Sequence, residues 1–354
     1  MVDEKEILRI YQHIPEDMSK QIYTDRLNYS LTGDYQFLDT MIDRTVRKRP
    51  EWRVFCETLA EKGAEQNLVI FGAGIWGGIL YRETNELVDW EYVVDSAPAG
   101  TNRTMGSKSV LSYEEFIKRY DGEYIVISSY KNYEGMYEQL KASAISDQRI
   151  INAGSVIYGL TEKATYFDLE GLRPCREKEV FVDAGCFDGF TTRQFFEWCN
   201  GKGYSYCLEP DAKNIAAIKQ NLAGYGNYEV IDRALWAETT TLTMNARGNF
   251  ATSVSKSYEE GNLHKTQAVA LDDILSDKGV TFIKMDIEGA EVEALHGAAQ
   301  VISEQRPRLA ISIYHKMEDI WTIPKTILDY CTDYKFYLRH YSFSDYDTVL
   351  YAVP

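Results

Sequence analysis

Cysteine is sparse and unpatterned: the six thiols, Cys56, Cys175, Cys186, Cys199, Cys207 and Cys331, include no CxxC pair and no regular spacing. That excludes a zinc knuckle or a disulfide framework and points to reduced core thiols. Positive charge is also short, with 38 basic against 54 acidic residues and a net charge of −16. Such a balance repels a phosphate backbone unless the basic residues gather in one patch. The densest basic stretch, Arg44, Arg47, Lys48, Arg49 and Arg53, recurs near helical spacing and reads as a solvated helix face, so no nucleic-acid partner is expected. No stretch approaches the ~18 uninterrupted apolar residues of a membrane span. The opening MVDEKEILRIYQHI is acidic and amphipathic rather than basic and then apolar. A soluble, cytoplasmic protein is the expectation.

What is present is ample core material: 45% hydrophobic and 13% aromatic residues, with 26 tyrosines among 354. That length exceeds one ordinary α/β core and predicts two domains plus an appendage. Residues 1–65 carry apolar positions at three- and four-residue intervals (Ile7, Ile10, Tyr11, Ile14; Phe37, Leu38, Met41, Ile42) and read as a helical N-terminal segment, with Gly33 ending one helix and Asp34 capping the next. Residues 66–155 alternate NLVIFGAG, a helical stretch, WEYVVDSAP, YEEFIKRY and EYIVISS, which is strand, helix, strand, helix, strand, a Rossmann-like nucleotide-binding-like domain. Residues 156–178 have no firm period and read as a linker.

The third region, 179–354, opens with VFVDAGCFDG and continues through YSYCLEP, YEVIDRAL, TFIKMDI, RLAISIY, KFYLRHY and TVLYAVP, with EVEALHGAAQVISEQ and PKTILDYCTDY the clearest helices between strands. The last two strands are separated only by SFSDYD, too short for a crossover helix, which predicts an antiparallel terminal hairpin on an otherwise parallel seven-stranded sheet. A nicotinamide-type Rossmann sheet stays parallel to its end. The expected fold class is therefore α/β with two Rossmann-like domains, the second of the class I methyltransferase type.

In VFVDAGCFDGFTT the strand ends at Asp183, and Gly185 and Gly189, with Cys186 between them, allow a tight turn that brings backbone N–H groups toward a ligand. Acidic side chains at Asp183 and Asp188 work against a pyrophosphate and suit a cation, such as the ammonium and sulfonium of S-adenosylmethionine. Asp183 is expected to engage the amino-acid end directly or through water. Glu209 follows twenty positions after Gly189, where an acid accepts the ribose hydroxyls of an adenosyl group, and Asp232 closes the next strand within reach of an adenine amine. In IKMDIEGAEVEAL a fourth strand delivers Asp286, with Glu288 and Glu291 at the helix entrance, where glutamate also satisfies free N–H groups.

These segments, VFVDAGCFDG, LEPD, VIDRALW, IKMDIEGAEVEALHGA and YDTVLYAVP, resemble the FkbM family of methyltransferases over residues 178 to 354. The resemblance implies a class I S-adenosylmethionine enzyme that methylates a hydroxyl on a sugar or other small molecule, with a long N-terminal extension departing from the simplest family pattern. Transfer to a hydroxyl needs positioning and removal of a proton. Asp286 and His315, which follows strand RLAISIY at the same sheet end, are the expected catalytic pair, with His264 and His340 in reserve. Asp286, Glu288 and Asp232 are the candidate ligands for a divalent ion, but their spacing is unspecific and no resident metal is expected.

LVIFGAGIWGG carries Gly72, Gly74 and Gly77 in GxGxxG spacing at a strand-to-helix turn, with Asp95 ending the next strand. This resembles NAD-binding Rossmann domains and nucleotide-sugar-associated modules, so NAD(P) or a nucleotide-sugar is the candidate ligand there. The rival function is an NAD-dependent oxidoreductase or epimerase. The expected partner is a small-molecule or carbohydrate acceptor, and homo-oligomerisation stays open.

Overall fold

The computed structural model describes residues 3–96, 103–161, 165–169, 172–174, 178–245 and 263–354, without the side chains of 244, 245, 263 and 264. Cys175 and the side chain of His264 therefore lie outside the described residues. The chain divides into two compact units, one of residues 42–164 with 341–343, the other of residues 1–41, 165–340 and 344–354. Helices α1 (Glu4–Gln12), α2 (Asp17–Thr32) and α3 (Tyr35–Arg44) open the chain. Gly33 takes the left-handed conformation (φ 68°) that closes α2, and Asp34 accepts from the N–H of Gln36 in the turn into α3.

The first unit contains α4 (Pro50–Glu65), β1 (Leu68–Phe71), α5 (Ile75–Thr84), β2 (Trp90–Asp95), β3 (Thr104–Met105), β4 (Lys108–Ser112), α6 (Tyr113–Arg119), β5 (Tyr124–Ile127), α7 (Tyr133–Ala142), β6 (Ile150–Asn152) and α8 (Ala153–Thr161). Its sheet runs β3-β4-β2-β1-β5-β6, parallel except for β3. The central strands β1 and β5 are buried at every position, as parallel strands covered on both faces must be. Helix α6 starts on a capping box in which Ser112 and Glu115 satisfy each other's backbone N–H groups.

The second unit follows with β7 (Glu179–Ala184), α9 (Phe190–Trp198), β8 (Gly203–Leu208), α10 (Ala212–Asn221), β9 (Tyr228–Ile231), β10 (Ala234–Leu235), β11 (Thr240–Asn245), β12 (Leu263–Val269), α11 (Leu271–Leu275), β13 (Phe282–Met285), α12 (Glu291–His296), β14 (Arg308–Ser312), α13 (Asp319–Tyr330), β15 (Lys335–His340) and β16 (Thr348–Val353). The main sheet is seven-stranded, β15-β16-β14-β13-β7-β8-β9, and β16 is antiparallel to both neighbours, so the terminal hairpin expected from the short SFSDYD connection is present. Strands β10, β12 and β11 form a small separate sheet. Helix α2 lies along β15, where Ser19 accepts from the N–H of Leu338 and Glu16 pairs with Arg339, covering an edge strand that would otherwise invite pairing.

Two helices differ from the pattern read in the sequence. EVEALHGAAQVISEQ is interrupted after His296, where a β-carbon on Gly297 would stand 2.0 Å from the Trp236 carbonyl oxygen, and it resumes as a π turn at Val301–Gln305. Helix α13 starts at Asp319, five residues before Pro324, because the Asp319 carboxylate accepts from the N–H of Lys316 and fixes the first turn.

Candidate active site

The site is built at the carboxyl ends of β13, β7 and β8, three adjacent strands that deliver Asp286, Asp183 and Glu209. The turn from β7 into α9 demands glycine twice. Gly185 has φ +75°, and a β-carbon on it would lie 2.0 Å from the backbone oxygen of Asp286; Gly189, at φ +83°, has Leu222 at 3.1 Å. Gly185 thus lets the loop after β7 pass directly against the loop after β13. Cys186 is buried beside Thr192, and the neighbouring Cys207 thiol together with burial pushes its thiol pKa up, so it is an inert packing group.

Asp183 is fully buried. Its Oδ2 accepts from Thr192 Oγ1 at 2.8 Å, and its Oδ1 lies 3.2 Å from the ammonium of Lys284, which donates to the Ala184 and Gly185 carbonyls. Lys284 is itself buried in β13; burial opposes its charge, but Asp183 and Asp286 outweigh that and its pKa is raised. The Asp183–Lys284 pair clamps the glycine turn from beneath, so Asp183 has no surface for direct contact with a ligand. Glu209 is 6% exposed and holds the loop from above. Its Oε2 accepts from the N–H of Phe187 at 3.0 Å, and its Oε1 from the N–H of Asp211 and from Asn214 Nδ2. Of roughly four lone-pair directions on a carboxylate, three are taken, leaving room for one further hydroxyl donor rather than two. Burial raises the Glu209 pKa against these hydrogen bonds.

Asp286 is held by two phenols and faces an imidazole. Tyr166 Oη donates to its Oδ2 at 2.8 Å, Tyr314 Oη donates to its Oδ1 at 3.1 Å, and His315 Nε2 lies 3.4 Å from Oδ1. Burial alone would raise its pKa, but Lys284, His315 and the two phenols hold it below the ordinary carboxylate value. His315 sits after β14 with its Nδ1 3.0 Å from Glu291 Oε1, though out of line for a straight hydrogen bond. Burial opposes its protonation; Glu291, Asp286 and Glu288 outweigh burial and raise its pKa. Glu291 accepts from the N–H of Ile287, so the helix-entrance role is filled, and the same oxygen faces the imidazole. Asp286, Glu291 and His315 offer donor atoms within 4.8 Å of one another, an arrangement suited to moving a proton or to gathering around a cation.

The other expected residues lie apart. Asp232 is exposed at the end of β9, three strands from β13, and is not brought to Asp286. His340 is buried on β15 with its Nδ1 2.9 Å from Thr348 Oγ1. In the first unit, a β-carbon on Gly77 would stand 1.9 Å from the Gly72 carbonyl oxygen, and one on Gly72 would stand 2.5 Å from Ser128 Oγ, so helix-to-strand packing alone accounts for both glycines; Gly74 faces open space. Asp95 pairs with Arg103 at 2.8 Å, and the same guanidinium donates to the Ala73 carbonyl, spanning the turn.

Tyr166, Tyr314 and Lys284 were not singled out by sequence. Lys284 carried a signal, a lone cation in the apolar strand FIKM, which must be paired if buried. Tyr166 carried none, since it stands in the stretch read as a linker.

Residues 183–341 match the family model described as the Methyltransferase FkbM domain. No curated protein matches the chain. Among solved structures, methyltransferase FkbM from Methylobacillus flagellatus KT is 21% identical, with 84% of this chain and 92% of that one covered and a TM-score of 0.48. A SAM dependent methyltransferase from Aquifex aeolicus is 16% identical over 56% of this chain and 96% of its own, TM-score 0.32. Fibrillarin from Aeropyrum pernix is 12% identical over 50% and 67%, TM-score 0.32. Residues 183–341 thus match the methyltransferase FkbM domain, and the chain is a methyltransferase.

Proposed function

We propose that the chain transfers a methyl group from S-adenosylmethionine to a hydroxyl of a small-molecule acceptor, a sugar or another ring alcohol. The observation that supports this most is the row of carboxylates at the rim, Glu209 and Asp286, on either side of a glycine turn that the buried Asp183–Lys284 pair holds in place. A cationic adenosyl ligand fits this row better than a dianionic pyrophosphate would. Glu209 keeps one lone pair for a ribose hydroxyl, while the N–H groups of Gly185 and Cys186, which the sequence pattern aimed at a ligand, donate to the Leu208 carbonyl and shape the turn instead. Asp183 acts on the turn alone, through Thr192 and Lys284, and Asp232 stands in the open at the end of β9. When bound, the cofactor supplies a methyl group on a sulfonium. Asp286, held ionised, accepts the hydrogen bond of the acceptor hydroxyl and orients its oxygen. His315, in its neutral form, takes up the proton from the Asp286 side, with Glu291 on its other nitrogen.

The unpaired thiols of Cys186, Cys199 and Cys207 suit a reducing compartment, and we place the reaction in the cytoplasm. No helix among the described residues is long and apolar enough to cross a membrane. The test is calorimetry: S-adenosylmethionine and S-adenosylhomocysteine should bind at one site per chain. Tight binding of a nicotinamide dinucleotide with no uptake of either would overturn the reading in favour of an oxidoreductase.

A further inference from the structure

Tyr166 stands ahead of β7, outside the residues matched by the family model, yet its side chain reaches the centre of the site. Its backbone has φ +73°, a region that a bulky L-residue rarely adopts. The conformation is held from both ends: its N–H donates to Tyr351 Oη at 3.0 Å, and its hydroxyl donates to Asp286 Oδ2 at 2.8 Å with Ser312 Oγ at 3.3 Å. The ring lies over the ammonium of Lys284, 5.5 Å from its centroid. A carboxylate that needed only buttressing has that from Tyr314 on its other oxygen. What Tyr166 adds is a phenol hydrogen-bonded to Oδ2 of the carboxylate that the proposed mechanism gives to the acceptor hydroxyl, between the ends of β13 and β14, where ligands of such sheets bind.

We infer that the Tyr166 phenol occupies the acceptor's own seat, and that the natural acceptor is an aryl hydroxyl that displaces it. This rests on the methyl-transfer reading above. In the reaction, a lone pair of the phenolic oxygen forms the C–O bond as the methyl C–S bond breaks. The bonding pair returns to sulfur, the sulfonium becomes a neutral thioether, and the phenolic proton passes to Asp286 and on to His315. The flat ring over Lys284 and the single hydroxyl on Asp286 suit an arene better than a pyranose, whose several hydroxyls would leave donors unmatched.

The experiment uses the full chain carrying Tyr166→Gly, since glycine adopts φ +73° without strain, and supplies p-cresol, the tyrosine side chain cut free. With S-adenosylmethionine present, mass spectrometry should detect 4-methylanisole at least about tenfold faster than with the unaltered protein, the worth of one displaced hydrogen bond. If calorimetry shows cofactor uptake by this variant but p-cresol is not methylated, or methyl glucoside is methylated in its place, the inference is overturned while the methyl-transfer reading stands. Absence of cofactor uptake in the unaltered chain would instead sink that reading. Tyr166→Phe guards against a variant that does not fold. Loss of the hydroxyl anchor should lower the p-cresol KM, whereas an unchanged or raised KM would mean that Tyr166 only buttresses Asp286.

Discussion

The molecule contains the same local device twice, a glycine turn between an apolar parallel strand and a helix, and the two copies have opposite chemical surroundings. At residues 72–78 Gly72 is required by packing against Ser128 and Gly77 by the approach of the helix to the Gly72 carbonyl, and the acid of the neighbouring strand, Asp95, is neutralised at the surface by Arg103. At residues 185–189 the steric demand is just as severe, but the turn lies between a buried Asp183–Lys284 pair and a buried Glu209, next to Asp286 and His315. A glycine fingerprint therefore specifies the turn, and the strand-end side chains specify the chemistry. The first turn is a fold element whose rim acid is paired with Arg103. The second is a fold element whose rim is charged, buried and titratable.

The sharpest way to break that comparison is to remove the titratable group found only at the second turn. His315→Ala should lower turnover by about 10²- to 10⁴-fold, the usual worth of a positioned general base, with cofactor affinity unchanged by calorimetry. The pH dependence carries its sign from the carboxylates around the ring. Burial opposes the charge on His315, but Glu291, Asp286 and Glu288 raise its pKa above the ordinary 6.5, so the neutral base accumulates, and kcat rises, only as pH passes that raised value. In Glu291→Gln the largest of these raising partners is lost, and the rising limb should move to lower pH. A limb that stays in place would assign the titration to another group.

A smaller effect separates the two turns sterically. Gly185→Ala drives a β-carbon into the Asp286 carbonyl and should weaken S-adenosylmethionine binding roughly 100-fold, the equivalent of an overpacking penalty of about 3 kcal/mol. Gly77→Ala meets the Gly72 carbonyl just as closely and should lower the melting temperature of its own unit by a similar penalty, leaving cofactor affinity untouched. Equal losses of cofactor binding in both variants would end the distinction. Glu209→Gln comes next. It keeps an acceptor for Phe187 or Asp211 but loses charge-assisted bonding, and the dissociation constant should rise about tenfold.

How much of this was legible in the sequence follows the physics of each signal. The parallel sheets and the terminal hairpin were legible because buried strands read as unbroken apolar runs, and because a six-residue connection admits no crossover helix. The strand-end positions of Asp183, Glu209, Asp286 and His315 were legible for the same reason, since strand order places them on one rim. Partners were not. That Asp183 turns to Lys284 while Glu209 turns to the Phe187 N–H depends on rotamers and, for the first pair, on residues about 100 positions apart. Nor was Tyr166 legible, because a tyrosine at positive φ in an aperiodic stretch gives no pattern, and its placement is decided by Tyr351 and Asp286 far along the chain. The break in the helix at Gly297 had a weak signal, a glycine inside a helical period, but what demands glycine there, the Trp236 carbonyl, is tertiary.

The smallest predicted effect tests the first half of the comparison. Asp95 is the residue that a dinucleotide fingerprint would assign to a ribose, and here it is held by Arg103 in a pair whose side chains are 19% and 40% exposed. An exposed ion pair of this kind is worth ~0–1 kcal/mol once solvent screening and side-chain entropy are counted. Asp95→Ala should therefore shift the melting temperature by no more than a degree or two and leave turnover and cofactor affinity unchanged. Thermal-shift titration with NAD(H), NADP(H) and nucleotide-sugars should show no response that depends on Asp95. If one of these ligands stabilises the unaltered chain and Asp95→Ala abolishes the effect, then the Arg103 pair is a latch over a working nucleotide site. The first turn would then need the same chemical reading as the second.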